Sequence, residues 1–133
     1  HSGVNLHVNV WTVTDISDVP FRAQFWFNAK ASGNIEESTL VTPSNTAFWP
    51  TPVPKVKLQM ASNVKDEPTD GVKAFVRRGE PLTTVVETEN GKLIFPPGGN
   101  FLVFVTLLEN VPEAECRIAF GWYEEKIPRP YCS

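Results

Sequence analysis

The sequence predicts an all-β domain, mainly antiparallel, folded as a sandwich or an open, twisted barrel-like globule with little helix and long proline-rich loops. Short segments that alternate apolar and polar residues recur along the chain, turn residues separate them, and no long helical periodicity is present. The 133 residues, 41% of them hydrophobic, suit one domain over residues 1–133.

The first predicted strand covers residues 4–13 and alternates with a period of two. One face is expected to carry Val4, Leu6, Val8 and Val10, and the other Asn5, His7, Asn9 and Trp11. Turn residues and Pro20 end it, and a second strand is predicted over 23–29.

The middle of the chain is rich in proline and is expected to form a stiff surface loop around residues 48–54. Before it, residues 35–40 have room for only a short helical turn. After it, the alternation predicts further strands at 55–60, 72–76, 82–87 and 92–95.

Two turns organise the last third of the chain. Asn90-Gly91 suits positive φ and predicts a hairpin between the strands at 82–87 and 92–95. A second turn at 96–100 leads into residues 101–108, which are apolar on both faces and are expected to form a central strand. The last predicted strand is 116–123.

Composition argues against several classes of protein. The net charge is −3 and Arg77-Arg78 with Lys73 is the one compact basic spot, so a nucleic-acid partner is not expected. No apolar run approaches the roughly 20 residues of a transmembrane helix. Because residue 1 is His and not Met, we expect a fragment of a larger protein.

The small number of cysteines and the absence of glycosylation signals indicate a reducing compartment. Cys116 and Cys132 are the two cysteines, and no Asn-x-Ser/Thr acceptor occurs. A single Cys116–Cys132 bridge is the alternative.

No cofactor or metal site is predicted. Gly98-Gly99 is too short to cradle a phosphate and opens a strand. Residues 66–71 faintly resemble a calcium loop, but Pro68 occupies a ligand position, so a solvated turn is expected there.

The residues that suit catalysis lie near the N-terminus. His1 can act as a base for the Ser2 hydroxyl, and Asp18 can orient the imidazole, with Asp15 as a near neighbour. Gly3 permits the bend that brings adjacent side chains together. The alternative is an unstructured lead-in, with Asp18 capping a turn.

Trp49 is the candidate for contact with a partner. It lies in the proline-rich loop, where an exposed indole would stack on a sugar or anchor a protein. The alternative is that the loop folds back and buries it. Trp11, Trp26 and Trp122 lie in predicted strands and are expected to pack.

At His1-Ser2 and Asp18, and over the strand between them, the chain resembles the protruding domain at the C-terminal end of iflavirus capsid proteins. The resemblance implies a β-rich globule on the virion surface, assembled in the host cytoplasm beside other capsid subunits. It also implies an Asp-His-Ser cluster with His1 as base, Ser2 as nucleophile and Asp18 as orienting acid. A host receptor, glycan or membrane lipid would be the partner.

The function expected from the resemblance is attachment or entry at the host cell. Two alternatives remain: a hydrolase of the esterase, lipase or protease kind that uses His1, Ser2 and Asp18, and a carbohydrate-binding β-sandwich whose aromatic residues line a groove.

Overall fold

A computed structural model of the chain describes residues 3–43, 47, 53–62, 66–108 and 116–127. They contain strands and turns but no helix, which confirms the all-β prediction. The strands are β1 (Val4–Asp15), β2 (Phe21–Phe27), β3 (Asn34–Glu37), β4 (Gln59–Ser62), β5 (Val72–Gly79), β6 (Thr84–Phe95), β7 (Phe101–Leu107) and β8 (Cys116–Lys126).

Two three-stranded antiparallel sheets form the body of the domain. Sheet A has the order β6-β1-β8 and sheet B the order β5-β2-β7, so β1 and β2 are the central strands. Strands β3 and β4 form a separate two-stranded ribbon between β2 and β5. The sheets form a sandwich-like globule and not a closed barrel, as the strand orders show for the described strands.

The core lies between the inner faces of the two sheets and is aromatic. Trp11 and Val13 of β1 meet three residues of β2, Phe21, Ala23 and Phe25, and all five are fully buried. The Trp11 and Phe25 rings are 4.2 Å apart between centroids, and Phe75 stacks on Phe25 at 4.6 Å. Burying one such side chain contributes about 1.5–3 kcal/mol, so this cluster joins the sheets.

A β-bulge at Asn9 changes the face that β1 presents. Against β8, Val8 pairs with Trp122 and Val10 pairs with Gly121, which leaves Asn9 as an extra residue. An extra residue reverses the alternation beyond it. The predicted face assignment is therefore correct as far as Val8 and wrong beyond it, since Trp11 points into the core.

The predicted hairpin at Asn90-Gly91 is wrong. Both flanking segments belong to β6, where Val8 pairs with Leu93 and Val10 with Thr88, so residues 89–92 stand opposite Asn9 alone. Asn90 and Gly91 do have positive φ, of 53° and 72°. The prediction of positive φ is therefore correct, but this conformation forms a four-residue bulge within β6 and not a hairpin, because the segments on both sides of it pair with β1.

Other elements also differ from the predictions. Residues 34–37 form a strand and not a helical turn, because they pair with β4. The strand predicted over 55–60 begins only at Gln59. β7 was expected to be central, but among the described strands it pairs only with β2 and is an edge strand. Its apolar residues therefore do not reflect pairing on both sides.

Candidate functional site

His7 and Tyr123 form an aromatic pair on the outer face of sheet A. Leu6 pairs with Phe95, which packs edge-to-face on Phe27 of the other sheet at 5.1 Å, so Leu6 lies on the inner face and His7 on the outer. His7 is directly opposite Tyr123 in the antiparallel register. The two rings are stacked 4.4 Å apart and inclined by 11°.

Both nitrogens of the His7 imidazole are engaged. Nδ1 lies 3.2 Å from the Gly91 carbonyl oxygen, and Nε2 lies 3.3 Å from Oε1 of Glu125. A carbonyl and an ionised carboxylate only accept hydrogen bonds, so both contacts are satisfied together when both nitrogens carry a proton. The residue is only 7% exposed, and it has no free nitrogen to offer a substrate.

Glu125 projects from the buried imidazole toward solvent. Its Oε1 accepts hydrogen bonds from His7 and, at 3.4 Å, from the Asn5 amide Nδ2. The hydrogen bond from His7, followed by that from Asn5, holds the pKa of the Glu125 carboxyl below its usual value. The side chain is 55% exposed, so an ionised carboxylate stands at the surface beside Tyr123.

The β6 bulge explains why the site needs Gly91. Its φ of +72° favours glycine, and a Cβ at this position would lie 2.9 Å from Cε1 of Tyr123. The absence of a side chain lets the Gly91 carbonyl reach His7 while the Tyr123 ring passes beside it. Glu89 of the same bulge accepts a hydrogen bond from Trp11 Nε1 at 3.2 Å, which ties the bulge to the core.

Tyr123, Glu125 and Asn5 together form what we call the Tyr123 patch. His7 covers one face of the Tyr123 ring and Gly91 lies against its edge, yet the residue is 47% exposed. About half of the residue is therefore open to solvent. An aromatic ring beside an ionised acceptor and an amide donor is suited to bind a ligand that has both apolar and hydroxyl-bearing surfaces.

Of the predicted triad, only Asp18 lies among the described residues. Asp18 is exposed in the turn after β1, whereas Gly3 lies before the start of β1, and His1 and Ser2 lie outside the described residues. The twelve residues of β1 span roughly 36 Å at about 3.3 Å per residue. Asp18 and Gly3 thus lie at opposite ends of β1, and the triad, which needs His1 and Ser2, stays a prediction.

Asp15, the neighbour considered with Asp18, has a structural environment. It is buried at the end of β1, and its Oδ1 accepts hydrogen bonds from the backbone N–H and the hydroxyl of Ser17. These bonds form an Asx turn that leads out of the strand. Asp15 therefore shapes the β1–β2 connection.

The remaining predicted contact and redox residues are partly outside the described residues. Trp49 lies outside them, as does Cys132, so the proposed bridge stays a prediction. Cys116 is half-buried and pairs in register with Asp15. Burial, and then the charge of Asp15, raises the pKa of the Cys116 thiol.

The described part of the chain offers neither a metal site nor a membrane-spanning helix. No group of three or more His, Cys, Asp or Glu side chains is placed to hold a metal ion there. No helix long and apolar enough to cross a membrane occurs in that part either.

The sequence contained only a weak signal for the Tyr123 patch. His7 was expected on the polar face of the first strand, which is correct, but Tyr123 and Glu125 lie 116 and 118 residues further along the chain. The pairing of β1 with β8 brings them together. Strand pairing across such a separation is not readable from local alternation.

The fold and site define a class: an antiparallel β-sandwich domain that carries an exposed aromatic site on the outer face of one sheet. The chain belongs to the family DUF6143, a family of unknown function whose model matches residues 1–129. No curated protein and no solved structure matches the chain. The resemblance to iflavirus protruding domains stays a prediction.

Proposed function

We propose that the domain is a binding module that recognises carbohydrate through the Tyr123 patch. The observation that carries the proposal is the stack of Tyr123 on a buried, doubly hydrogen-bonded His7. A sugar ring offers an apolar C–H face and a rim of hydroxyls. The exposed part of Tyr123 suits the first, and the Glu125 carboxylate with the Asn5 amide suits the second.

Rigidity of the ring supports binding. Tyr123 is held by His7 on one face and bordered by Gly91, so little side-chain freedom is left to lose when a ligand arrives. His7 is itself fixed by hydrogen bonds to acceptors on two different strands. The platform is thus organised before the ligand binds.

The same contacts favour a positioning role for His7 over an acid–base role. A catalytic histidine must present one nitrogen to the reacting group. Here Gly91 and Glu125 occupy the two nitrogens, and the imidazole is buried beneath Tyr123. The arrangement therefore favours recognition over turnover.

A glycan array tests the proposal, followed by titration calorimetry with the glycans that bind. We expect wild type to bind and Tyr123→Ala to lose roughly two- to tenfold in affinity, since stacking on an aromatic ring contributes about 0.5–1.5 kcal/mol. Tyr123→Phe keeps the ring and is expected to retain most of the affinity. Glu125→Gln, which removes the charged acceptor, should fall between them.

Leu82→Ala is the control, because Leu82 is an exposed apolar residue in the turn before β6. It should bind like wild type. Trp49→Ala separates the patch from the proline-rich loop: loss of binding in Trp49→Ala with normal binding in Tyr123→Ala would move the site to that loop. An array without hits would contradict the carbohydrate proposal.

Host attachment, implied by the iflavirus resemblance, is a proposal of the same kind, since a surface glycan is one of the partners it names. Competition between the isolated domain and intact particles for host cells would test it. The hydrolase alternative depends on His1, Ser2 and Asp18. Ester turnover that disappears in Ser2→Ala would support it, and equal turnover in both proteins would contradict it.

A further inference from the structure

Among the described strands the sandwich has four edge strands, and these differ sharply in charge. β5 carries Lys73, Arg77 and Arg78, β6 carries Glu87, Glu89 and Lys92, and β8 carries Arg117, Glu124, Glu125 and Lys126. β7 reads Phe-Leu-Val-Phe-Val-Thr-Leu and carries no charge, proline or glycine. Natural sheets protect their edges from pairing with charges, prolines and bulges.

Bulges also distinguish β5 and β6 from β7. β5 has a register shift between its pairs with Phe25 and Trp26, and β6 contains the four-residue bulge at 89–92. β7 pairs with β2 at seven consecutive positions, Phe101 to Leu107, without a shift. β7 is thus a regular and uncharged edge, and its outward backbone groups have no strand partner among the described strands.

We propose that β7 pairs antiparallel with β7 of a second copy of this chain across a two-fold axis. In such a pair a residue near the two-fold axis faces the same or a nearby residue of the other copy. A charged edge strand would therefore bring like charges close together. β7 avoids this. The dimer would join two copies of sheet B into one six-stranded sheet, β5-β2-β7-β7-β2-β5.

A register centred on Phe104 suits the side chains best. Phe104 would face its counterpart, Leu102 would face Thr106, and Phe101 would face Leu107, so aromatic and aliphatic groups meet on each face of the joined sheet. Phe104 pairs with Gln24 and therefore lies on the outer face of sheet B, away from the central core. The partner this surface fits is a second copy.

Sedimentation equilibrium from about 1 to 200 μM tests the proposal, using the whole chain and three β7 variants, Phe104→Lys, Phe104→Glu and Leu107→Lys. Wild type is expected to approach twice the monomer mass. Phe104→Lys and Phe104→Glu should each be monomeric, and their equimolar mixture should dimerise, because only the mixed pair places opposite charges at the centre. Circular dichroism and urea unfolding establish that each variant folds.

Leu107→Lys keeps the test decisive if substitution of Phe104 prevents folding, because Leu107 is already 36% exposed. It too should be monomeric, whereas Thr88→Lys on the exposed outer face of β6 should dimerise like wild type. A wild type that is monomeric throughout overturns the proposal. A folded Leu107→Lys or Phe104→Lys that dimerises like wild type also overturns it.

Discussion

The outer faces of the two sheets differ in what covers them. On sheet B, Gln24 is 1% exposed and Trp26 is 9% exposed. Gln24 Nε2 donates to Glu67, and Trp26 Nε1 donates to Gln24 at 3.0 Å. The segment before β5 therefore lies against this face. On sheet A, the equivalent central position holds His7, but its neighbour Tyr123 is 47% exposed.

The polar groups on the two outer faces have different consequences for the aromatic residue beside them. The polar groups over sheet B bond to one another and leave Trp26 enclosed, with Lys73 Nζ 5.8 Å from its ring centroid. The polar groups over sheet A bond to one another but leave the Tyr123 ring and the Glu125 carboxylate at the surface. A covered aromatic residue stabilises the fold, and an exposed, rigid one is available for binding.

The largest expected effect is on the free energy of unfolding when the aromatic ring of each outer face is removed. Trp26→Ala is expected to lower the free energy of unfolding by about 3–5 kcal/mol, because it opens a cavity and leaves the Gln24 carbonyl without its donor. Tyr123→Ala should lower it by only about 0.5–1.5 kcal/mol, the value of one aromatic stack. Urea unfolding monitored by circular dichroism measures both.

Trp11→Ala serves as the reference for a core position, since Trp11 is fully buried between the sheets. We expect Trp26→Ala to resemble it more than it resembles Tyr123→Ala. Equal losses for Trp26→Ala and Tyr123→Ala would mean that the two outer faces are not different in kind.

The same contrast marks how far the sequence could predict the molecule. Alternation located β1, β2, β5, β7 and β8 to within a few residues, and it placed Trp11 and Trp26 in strands, because both signals are local. It divided β6 into two strands. It missed that β7 is an edge, and that the bulges at Asn9 and 89–92 change faces and replace a hairpin. Those features depend on which strand pairs with which, and so does the Tyr123 patch.

Gly91→Ala should disturb the open face with a smaller loss of stability. A non-glycine residue at a φ of +72° costs about 1–2 kcal/mol, and the new Cβ would also press on Tyr123 at 2.9 Å. We expect unfolding in urea to shift by about that amount and glycan affinity to fall as the ring moves.

Gly3→Ala is the matched control for Gly91→Ala. Gly3 also has positive φ, of +76°, but a Cβ there would meet nothing within 4 Å. It should therefore show the backbone cost without a change in binding. If Gly91→Ala bound glycan as well as Gly3→Ala does, the contact with Tyr123 would not govern the site.

The smallest expected effect is the response of Glu125 to acid. Hydrogen bonds from His7 and then Asn5 lower its pKa in the folded protein, whereas an unfolded glutamate titrates near 4.3. A lowered folded pKa means that the unfolded state binds the proton more readily. The contribution of Glu125 to stability is therefore fully present above the unfolded pKa and is lost as the pH falls through the folded pKa.

Unfolding midpoints of wild type and Glu125→Gln from pH 6 to pH 2.5 measure this contribution. The difference between them should be small and constant near pH 6, and it should shrink as the pH falls below about 4.3. Glu36→Gln, which removes an exposed carboxylate on β3, controls for the loss of one surface charge. A difference for Glu125→Gln that did not change with pH would mean that His7 and Asn5 do not hold the ionised carboxylate. The open face would then present Tyr123 without a fixed acceptor beside it.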